Sequence, residues 1–175
     1  MKKITLFLAG VIILSGLATI TVSCENISFE KTTLHFSNLQ IKENKEEITV
    51  ELNGTNTVFL KKDHYIVPTR IETFTFPLGT EIKNVRCTPK NILRQQLTKE
   101  LMITPEPVLA GETSITVNNG KPENPLSVNT WYTYDVGCGV TGNQRGVIVK
   151  VEVFPIQYYP SEDFIYWADT IDIEI

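Results

Sequence analysis

The side chains that most often carry covalent or metal chemistry are few in this chain. Its 175 residues include three cysteines, Cys24, Cys87 and Cys138, and two histidines, His35 and His64. A cysteine nucleophile needs a base such as histidine within hydrogen-bond reach, and no known nucleophile motif surrounds Cys87 or Cys138. No C-x-x-C or H-x-x-x-H spacing occurs, so the sequence does not indicate a zinc site. We therefore predict a chain with no catalytic set, metal or cofactor of its own.

Aromatic residues in the C-terminal part of the chain offer a second kind of site. They are Trp131, Tyr132, Tyr134, Tyr158, Tyr159, Tyr166 and Trp167. Large aromatic side chains supply much of the packing in folded domains, and on β-sandwiches they also form platforms that bind sugars. We favour packing for this set and keep a sugar platform as the alternative.

The first 24 residues have the pattern of a signal peptide. Lys2 and Lys3 are followed by an apolar run from residue 4 to residue 20, and small residues then lead to Cys24. A charged start, an apolar centre and small residues at the end suit signal peptidase. We predict removal of residues 1–24 and export. Two alternatives are an uncleaved anchor, because about 20 apolar residues can span a bilayer, and lipidation at Cys24.

Export bears on the remaining cysteines. Cys87 and Cys138 are an even pair, and disulfides form in the oxidising environment that an exported protein enters. We therefore predict a Cys87–Cys138 disulfide.

The charge of the chain argues against nucleic-acid binding. The formal net charge is −4, and loss of Lys2 and Lys3 with the signal peptide leaves 14 basic against 20 acidic residues, a net charge of −6. A nucleic-acid-binding domain is expected to carry a basic stripe. The composition, 42% hydrophobic and 21% charged, is that of an ordinary globular domain. We expect one domain over residues 25–175.

The elements that would position these residues are strands. Valines occupy every second position from Val147 to Val153, which is the period of a half-buried strand. Pro155 withholds a hydrogen-bond donor and so ends that strand or places it at an edge. Three further short strands are predicted at 156–159, 164–167 and 171–175. Short strands separated by tight turns are typical of an antiparallel meander.

The N-terminal half predicts hairpins as well. Apolar residues alternate from Ile48 to Leu52, and Asn53-Gly54 is a dipeptide that tolerates positive φ angles in a hairpin loop. We therefore expect residues 58–60 to return beside 48–52. A strand, a turn and a second strand are predicted at 71–76, 77–80 and 82–88.

Residues 91–103 give an ambiguous pattern. Their apolar residues recur at helical spacing, and the segment is rich in Gln, Lys, Glu and Leu. A short helix and an irregular crossover are both consistent with it. Residues 118–125, NNGKPENP, form the most loop-like stretch of the chain.

Two stretches resemble the propeptide domain of gingipain-type cysteine peptidases. The first, YIVPTRIETFTFPLGTEIKNVRCTP at 65–89, is similar to a segment of that domain in which two prolines and a glycine precede a valine. The second, at 129–175, contains a Trp-Tyr pair, Gly-Cys-Gly, Gly-Asn-x-Arg, the alternating valines, PIQYYP and a closing IDIEI. Together they cover somewhat under half of the chain. The resemblance implies an all-β fold, an antiparallel β-sandwich of immunoglobulin-like or jelly-roll-like type, with much of 91–103 extended.

The same resemblance implies a function. In the family, such a prodomain has no catalytic activity, assists folding of the catalytic domain and keeps the enzyme latent by laying a loop across the catalytic cleft. The expected partner is the catalytic domain of a gingipain-type cysteine peptidase, in cis or in trans. The expected location is secreted or at the cell surface, with membrane contact only through an uncleaved or lipidated N-terminus. A free-standing surface module for binding or adhesion is the alternative.

Two basic residues are candidates for the inhibitory loop. Some relatives prefer basic residues in their substrates, and a loop that offers Lys or Arg to an acidic pocket makes a charge-assisted bond about twice as strong as a neutral one. Lys121 lies in the loop-like stretch, and Arg145 follows Gly142-Asn143-Gln144 in a predicted hairpin turn. Each also fits an exposed turn residue with no such role.

Overall fold

The computed structural model describes residues 29–105 and 125–175, and regular structure within these ranges consists of strands. The strands are β1 (Lys31–His35), β2 (Ser37–Glu43), β3 (Ile48–Asn53), β4 (Thr57–Phe59), β5 (Val67–Pro77), β6 (Arg86–Gln96), β7 (Tyr132–Thr141), β8 (Gln144–Val153), β9 (Ile156–Tyr159) and β10 (Phe164–Glu174).

Two four-stranded antiparallel sheets and one hairpin make up the fold. In the first sheet β10 is central: β6 lies along one side of it, and β9 and β1 lie in turn along the other. The second sheet has the order β4-β5-β8-β7, and β2 and β3 pair with each other. The predicted all-β, antiparallel, sandwich-like fold is therefore confirmed.

Alternating apolar residues from both sheets form the core. Val149, Val151 and Val153 of β8 are fully buried, as are Ile171 and Ile173 of β10. They belong to one continuous cluster, which joins the inner faces of the two sheets. The period-two patterns in the sequence therefore identify the inward-facing residues of β8 and β10.

The chain changes sheets at Pro155. β8 belongs to the second sheet, whereas β9 and β10 form a hairpin in the first. The predicted meander is therefore wrong between β8 and β9, although Pro155 does end the valine strand. The segments predicted as separate strands at 164–167 and 171–175 form one strand, β10, which pairs with β6 from Phe164 to Glu174 except at Asp169.

Residues 91–96 are a strand, so the helical alternative is wrong for them. Ile92 and Leu93 pair with Ala168 and Trp167 of β10 and complete β6. Helix propensity differs by less than about 1 kcal/mol per residue, so a long sheet ladder readily overrides it. The strand predicted at 82–88 begins only at Arg86.

The predicted return of 58–60 beside 48–52 is also wrong. Gly54 does form a turn with a φ of 99°, but β4 then pairs with β5. Asn56 explains the change of partner, because its side chain exchanges hydrogen bonds with the backbone of Ile71 at 2.9 and 3.0 Å. Its backbone N–H also donates to the carbonyl of Thr69. These bonds attach the segment after Gly54 to the second sheet.

Within the described ranges each four-stranded sheet has one long edge strand. In the first sheet this strand is β6. It contains Arg86, Lys90 and Arg94, together with Pro89. Its ladder with β10 is interrupted at Asn91, which has a φ of 48°. Charges, proline and backbone irregularity are the features by which edge strands resist pairing with another chain.

The second long edge strand, β7, lacks these features. It has one charged residue, Asp135, and no proline. Its register with β8 is continuous from Tyr132 to Thr141. Within the described residues β8 is the only strand that pairs with it.

Candidate functional site

The β7–β8 hairpin places Arg145 near an exposed tip. Gly142 has a φ of 60°, the sign that a two-residue hairpin loop requires at its first position. Arg145 is the second residue of β8, pairs with Val140 and is exposed. The predicted hairpin is therefore present, and Arg145 presents its guanidinium group beside the turn.

A second turn lies next to this tip. Pro77, the last residue of β5, pairs with Gly146, so the turn that begins there adjoins the β7–β8 hairpin. The backbones approach closely: a Cβ atom at Gly146 would lie 2.6 Å from the carbonyl oxygen of Phe76. The Pro and Gly residues of each turn predict it from the sequence, whereas the contact between the two turns depends on the pairing of β5 with β8.

A groove of about 570 Å³ lies between the two turns. Its lining residues are Thr75, Phe76, Pro77, Leu78, Thr141, Gln144 and Arg145. It is apolar along the β5 side, where Leu78 is exposed, and has Arg145 and Gln144 on the other. Such a groove can hold an apolar side chain, and Arg145 can offer paired donors to a carboxylate.

Lys121, the other candidate for an inhibitory loop, lies outside the described residues. The same holds for the signal peptide, residues 1–24, and for Cys24.

The predicted Cys87–Cys138 disulfide is not formed in this structure. Both residues are free cysteines, Cys87 buried and Cys138 exposed. Cys87 lies on β6 opposite Ile173, whereas Cys138 lies on β7 opposite Val147, so they belong to different sheets. Burial raises the pKa of the Cys87 thiol to about 12, which keeps it protonated and unreactive at neutral pH.

The histidines do not complete a nucleophilic pair with Cys87. His35 lies on β1, and the whole width of β10 separates β1 from β6. Two strand spacings amount to about 10 Å, well beyond hydrogen-bond reach. His64 lies in a connecting segment, where its Nδ1 atom is 2.8 Å from the carbonyl oxygen of Lys62 and its ring meets Phe59 edge to face.

Some of the aromatic residues named above pack in or against the core, and others are exposed at the surface. Tyr158 is buried and meets Tyr65 edge to face, and Trp131 and Trp167 pack against the core. Tyr134 is exposed on β7 and stacks on Tyr132 at a ring-centroid distance of 6.4 Å. Packing therefore accounts for the buried members, and these residues do not form one continuous platform.

Asp172 is the centre of an ion-pair cluster. Lys90 Nζ donates to its carboxylate at 2.6 Å, Thr33 Oγ1 at 2.8 Å, and Lys31 Nζ lies 3.4 Å away. The hydrogen bonds from Lys90 and Thr33 lower the pKa of Asp172 to about 2. The carboxylate is fully used in holding β1 and β6 to β10. Within the described ranges no group of three or more His, Cys, Asp or Glu residues could hold a metal ion.

No helix in the part of the chain that the structure describes is long and apolar enough to cross a membrane.

Two solved structures resemble this one in fold. One, described as the complex of Porphyromonas gingivalis RgpB pro- and mature domains, has a TM-score of 0.61 at 12% identity, over 87% of this chain and 80% of that chain. The other, described as an insight into the zymogenic latency of gingipain K from Porphyromonas gingivalis, has a TM-score of 0.60 at 13% identity, over 86% of this chain and 87% of that chain. No family model matches this chain, and no curated protein matches it. The resemblance to gingipain propeptides is thus confirmed at the level of the fold.

Proposed function

We propose that residues 25–175 form the non-catalytic prodomain of an exported gingipain-type cysteine peptidase. Its role is to assist folding of the catalytic domain and to keep that domain latent until the prodomain is removed. The observation that carries the proposal is the fold shared with gingipain structures over 87% and 86% of this chain. One of those structures is described as a complex of pro- and mature domains. A catalytic domain is accordingly the proposed partner, in cis or in trans.

Export fits this function. A prodomain must accompany its enzyme across the membrane, and residues 1–24 have the pattern of a cleavable signal peptide. We propose that the chain is secreted or held at the cell surface. Membrane contact would come only through an uncleaved or lipidated N-terminus.

The rigid sandwich and the exposed hairpin support an inhibitory role. The core strands fix the β7–β8 hairpin, and Arg145 beside its turn can reach an acidic pocket without rearrangement of the sheets. Lys121, in the loop-like stretch 118–125, remains a candidate on the same chemical ground. Either residue would offer the positive charge that a peptidase with a preference for basic residues binds.

Peptide hydrolysis by the cognate catalytic domain tests the proposal. The chain from residue 25 onward is added in excess, and we expect hydrolysis to slow at micromolar concentration. Unchanged hydrolysis at that concentration would remove the inhibitor function and favour the free-standing surface module.

Variants then identify the loop. Arg145→Ala and Lys121→Ala are each compared with Lys150→Ala, an exposed basic residue further along β8 that lies outside the tip. The account expects one tip or loop variant to weaken inhibition and the Lys150 variant to match the unaltered chain. Equal inhibition by all three would leave the prodomain function standing and exclude both residues as the inhibitory contact.

A further inference from the structure

The outer edge of β7 has no strand beside it in the part of the chain that the structure describes. β7 is ten residues long and pairs with β8 alone within the described part of the chain. Every strand has hydrogen-bonding groups on both sides, and no strand of residues 29–105 or 125–175 pairs with the side of β7 that faces away from β8. An extended segment of another molecule can satisfy these groups by adding a strand to the sheet.

One face of β7 presents an exposed apolar row. Val136 pairs with Val149 and Tyr134 with Val151, and opposite residues in an antiparallel ladder point to the same face. Val149 and Val151 are fully buried, yet Tyr134, Val136 and Val140 are 46%, 47% and 65% exposed. The inner face of the second sheet thus extends beyond the part that the core covers.

The opposite face of β7 leaves room for an approaching backbone at Gly137. Nothing lies within 4 Å of the position that a Cβ atom would take at Gly137. At Gly139 the side chain of Ile148 already fills this space, because a Cβ atom there would lie 2.6 Å from Ile148 Cδ1. Asp135 is the single charged residue along the strand. Among the described residues the edge is therefore long and without a neighbouring strand, it is apolar on one face, and it lacks the cations that commonly protect such edges.

We propose that β7 is the docking edge for the catalytic domain, which contributes an extended segment that pairs with β7 as a fifth strand of the second sheet. This inference rests on the proposed prodomain function and assigns the surface that carries it. The segment is expected to have apolar side chains at alternate positions, because these would cover Tyr134, Val136 and Val140. Main-chain hydrogen bonds would supply affinity, and the alternate side chains would supply selectivity.

A second copy of this chain is the less favourable occupant. After removal of residues 1–24 each copy has a net charge of −6, so two copies repel each other. A catalytic domain that is recognised through Arg145 or Lys121 has an acidic pocket at the contact, and the β7–β8 hairpin holds Arg145 beside the same edge. The edge and the tip can therefore be engaged by one partner.

Cys138 provides a built-in reporter for this edge. It lies on the apolar row opposite Val147 and is exposed, whereas the Cys87 thiol is buried. The experiment uses the chain from residue 25 onward under reducing conditions, with the cognate catalytic domain carrying alanine in place of its catalytic cysteine. Alkylation by iodoacetamide is followed at each cysteine by mass spectrometry. We expect Cys138 alkylation to slow at least about tenfold in the complex, since a paired edge is shielded from reagent.

A matched pair of substitutions locates the contact. Val136 is 47% exposed on β7 and Ile92 is 50% exposed on β6, so lysine is tolerated sterically at both. Val136→Lys should weaken binding about tenfold or more, as expected for charge at the centre of an apolar contact. Ile92→Lys should bind like the unaltered chain.

The outcomes separate the two proposals. A complex in which Cys138 reacts at its free rate would overturn docking at β7 and leave the prodomain function standing. Failure to form any complex would overturn both. Protection of Cys138 that rises with the concentration of this chain alone would show a second copy on the edge and would also overturn the assignment. Equal weakening by the two lysine variants would exclude a site-specific contact at β7.

Discussion

β6 and β7 are long edge strands of two four-stranded sheets, but they differ in the features that protect an edge from pairing with another chain. β6 carries Arg86, Lys90 and Arg94, and its ladder is broken at Asn91. β7 carries one charge, Asp135, and pairs evenly with β8 throughout. A protein that had to stay monomeric would be expected to protect both edges. This difference is what we expect if β7, and not β6, receives a strand from a partner.

The side chains of the two strands support the same contrast. Arg94 of β6 lies over the ring of Phe164 at 3.3 Å and so covers aromatic surface with a cation. Lys90 of β6 is bound to Asp172. The apolar residues Tyr134, Val136 and Val140 of β7 have no such cover and remain exposed. β6 also exposes Ile92 and Leu93, but its Lys90 and Arg94 side chains contact β10, whereas β7 has no basic side chain beside its apolar row.

Loss of the closing strand should have the largest effect on this comparison. Truncation after Ala168 removes Ile171 and Ile173, both fully buried, together with half of the ladder that holds β6. Burial of each isoleucine side chain is worth about 1.5–3 kcal/mol, against a total stability of about 5–15 kcal/mol. We expect an unfolded or aggregating product by circular dichroism. Ile175→Ala, at a partly buried position, serves as the milder control, and an unchanged melting temperature after truncation would refute the account of β10.

The contact between β5 and β8, beside the tip of the β7–β8 hairpin, can be weakened at one residue. In Gly146→Ala the new Cβ atom would lie 2.6 Å from the Phe76 carbonyl oxygen, so β5 and β8 must move apart. Overpacking of this kind costs about 1–3 kcal/mol. Gly137→Ala on β7 is the matched control, because nothing lies within 4 Å of its Cβ position. Urea unfolding should show a lower midpoint for the first variant and a change within about 0.5 kcal/mol for the second; equal midpoints would contradict the close approach.

The sequence could predict the period-two patterns but not how the strands are arranged. Alternation identified the buried valines of β8 and the isoleucines of β10, because the pattern depends only on which face each side chain takes. Pairing partners were not predictable in the same way. The placement of β4 depends on hydrogen bonds between Asn56 and Ile71, which are distant in the chain. The sheet change at Pro155 likewise has no local signature.

The candidate site was predictable in part for a related reason. The Gly142 hairpin and the turn at 77–80 each have recognisable turn residues, whereas their contact depends on the β5–β8 register. The disulfide was inferred from an even number of cysteines, a count that carries no information about which sheet each occupies. The unprotected edge was missed because β7 becomes an edge only through strand order. The sequence feature that could have indicated it is the single charged residue and the lack of proline between Tyr132 and Thr141.

Acid should weaken the contacts of Asp172 that hold β6 to β10, with a smaller effect on stability than the two changes above. The hydrogen bonds from Lys90 and Thr33 lower the pKa of Asp172 to about 2, whereas an unfolded aspartate has a pKa of about 3.9. Ionised Asp172 thus stabilises the fold fully above about pH 4, and this stabilisation is lost as pH falls through about 2.

The Asp172→Asn variant isolates that contribution. Its melting temperature should fall less between pH 4 and pH 2 than that of the unaltered chain. Asp135→Asn on β7, where the carboxylate is exposed, is the control and should follow the unaltered curve. Parallel curves for all three proteins would show that the Asp172 cluster does not contribute to stability in acid.

Hydrogen exchange of the chain from residue 25 onward, alone and with excess catalytic domain, tests the central claim most directly. The two edges are compared in one experiment, since peptides covering 132–141 and 86–96 report on β7 and β6 separately. The account predicts slower exchange along β7 in the complex, because its outer N–H groups become paired, and unchanged exchange along β6. Protection of β6 with β7 unchanged, or no protection of either strand by the catalytic domain, would contradict it.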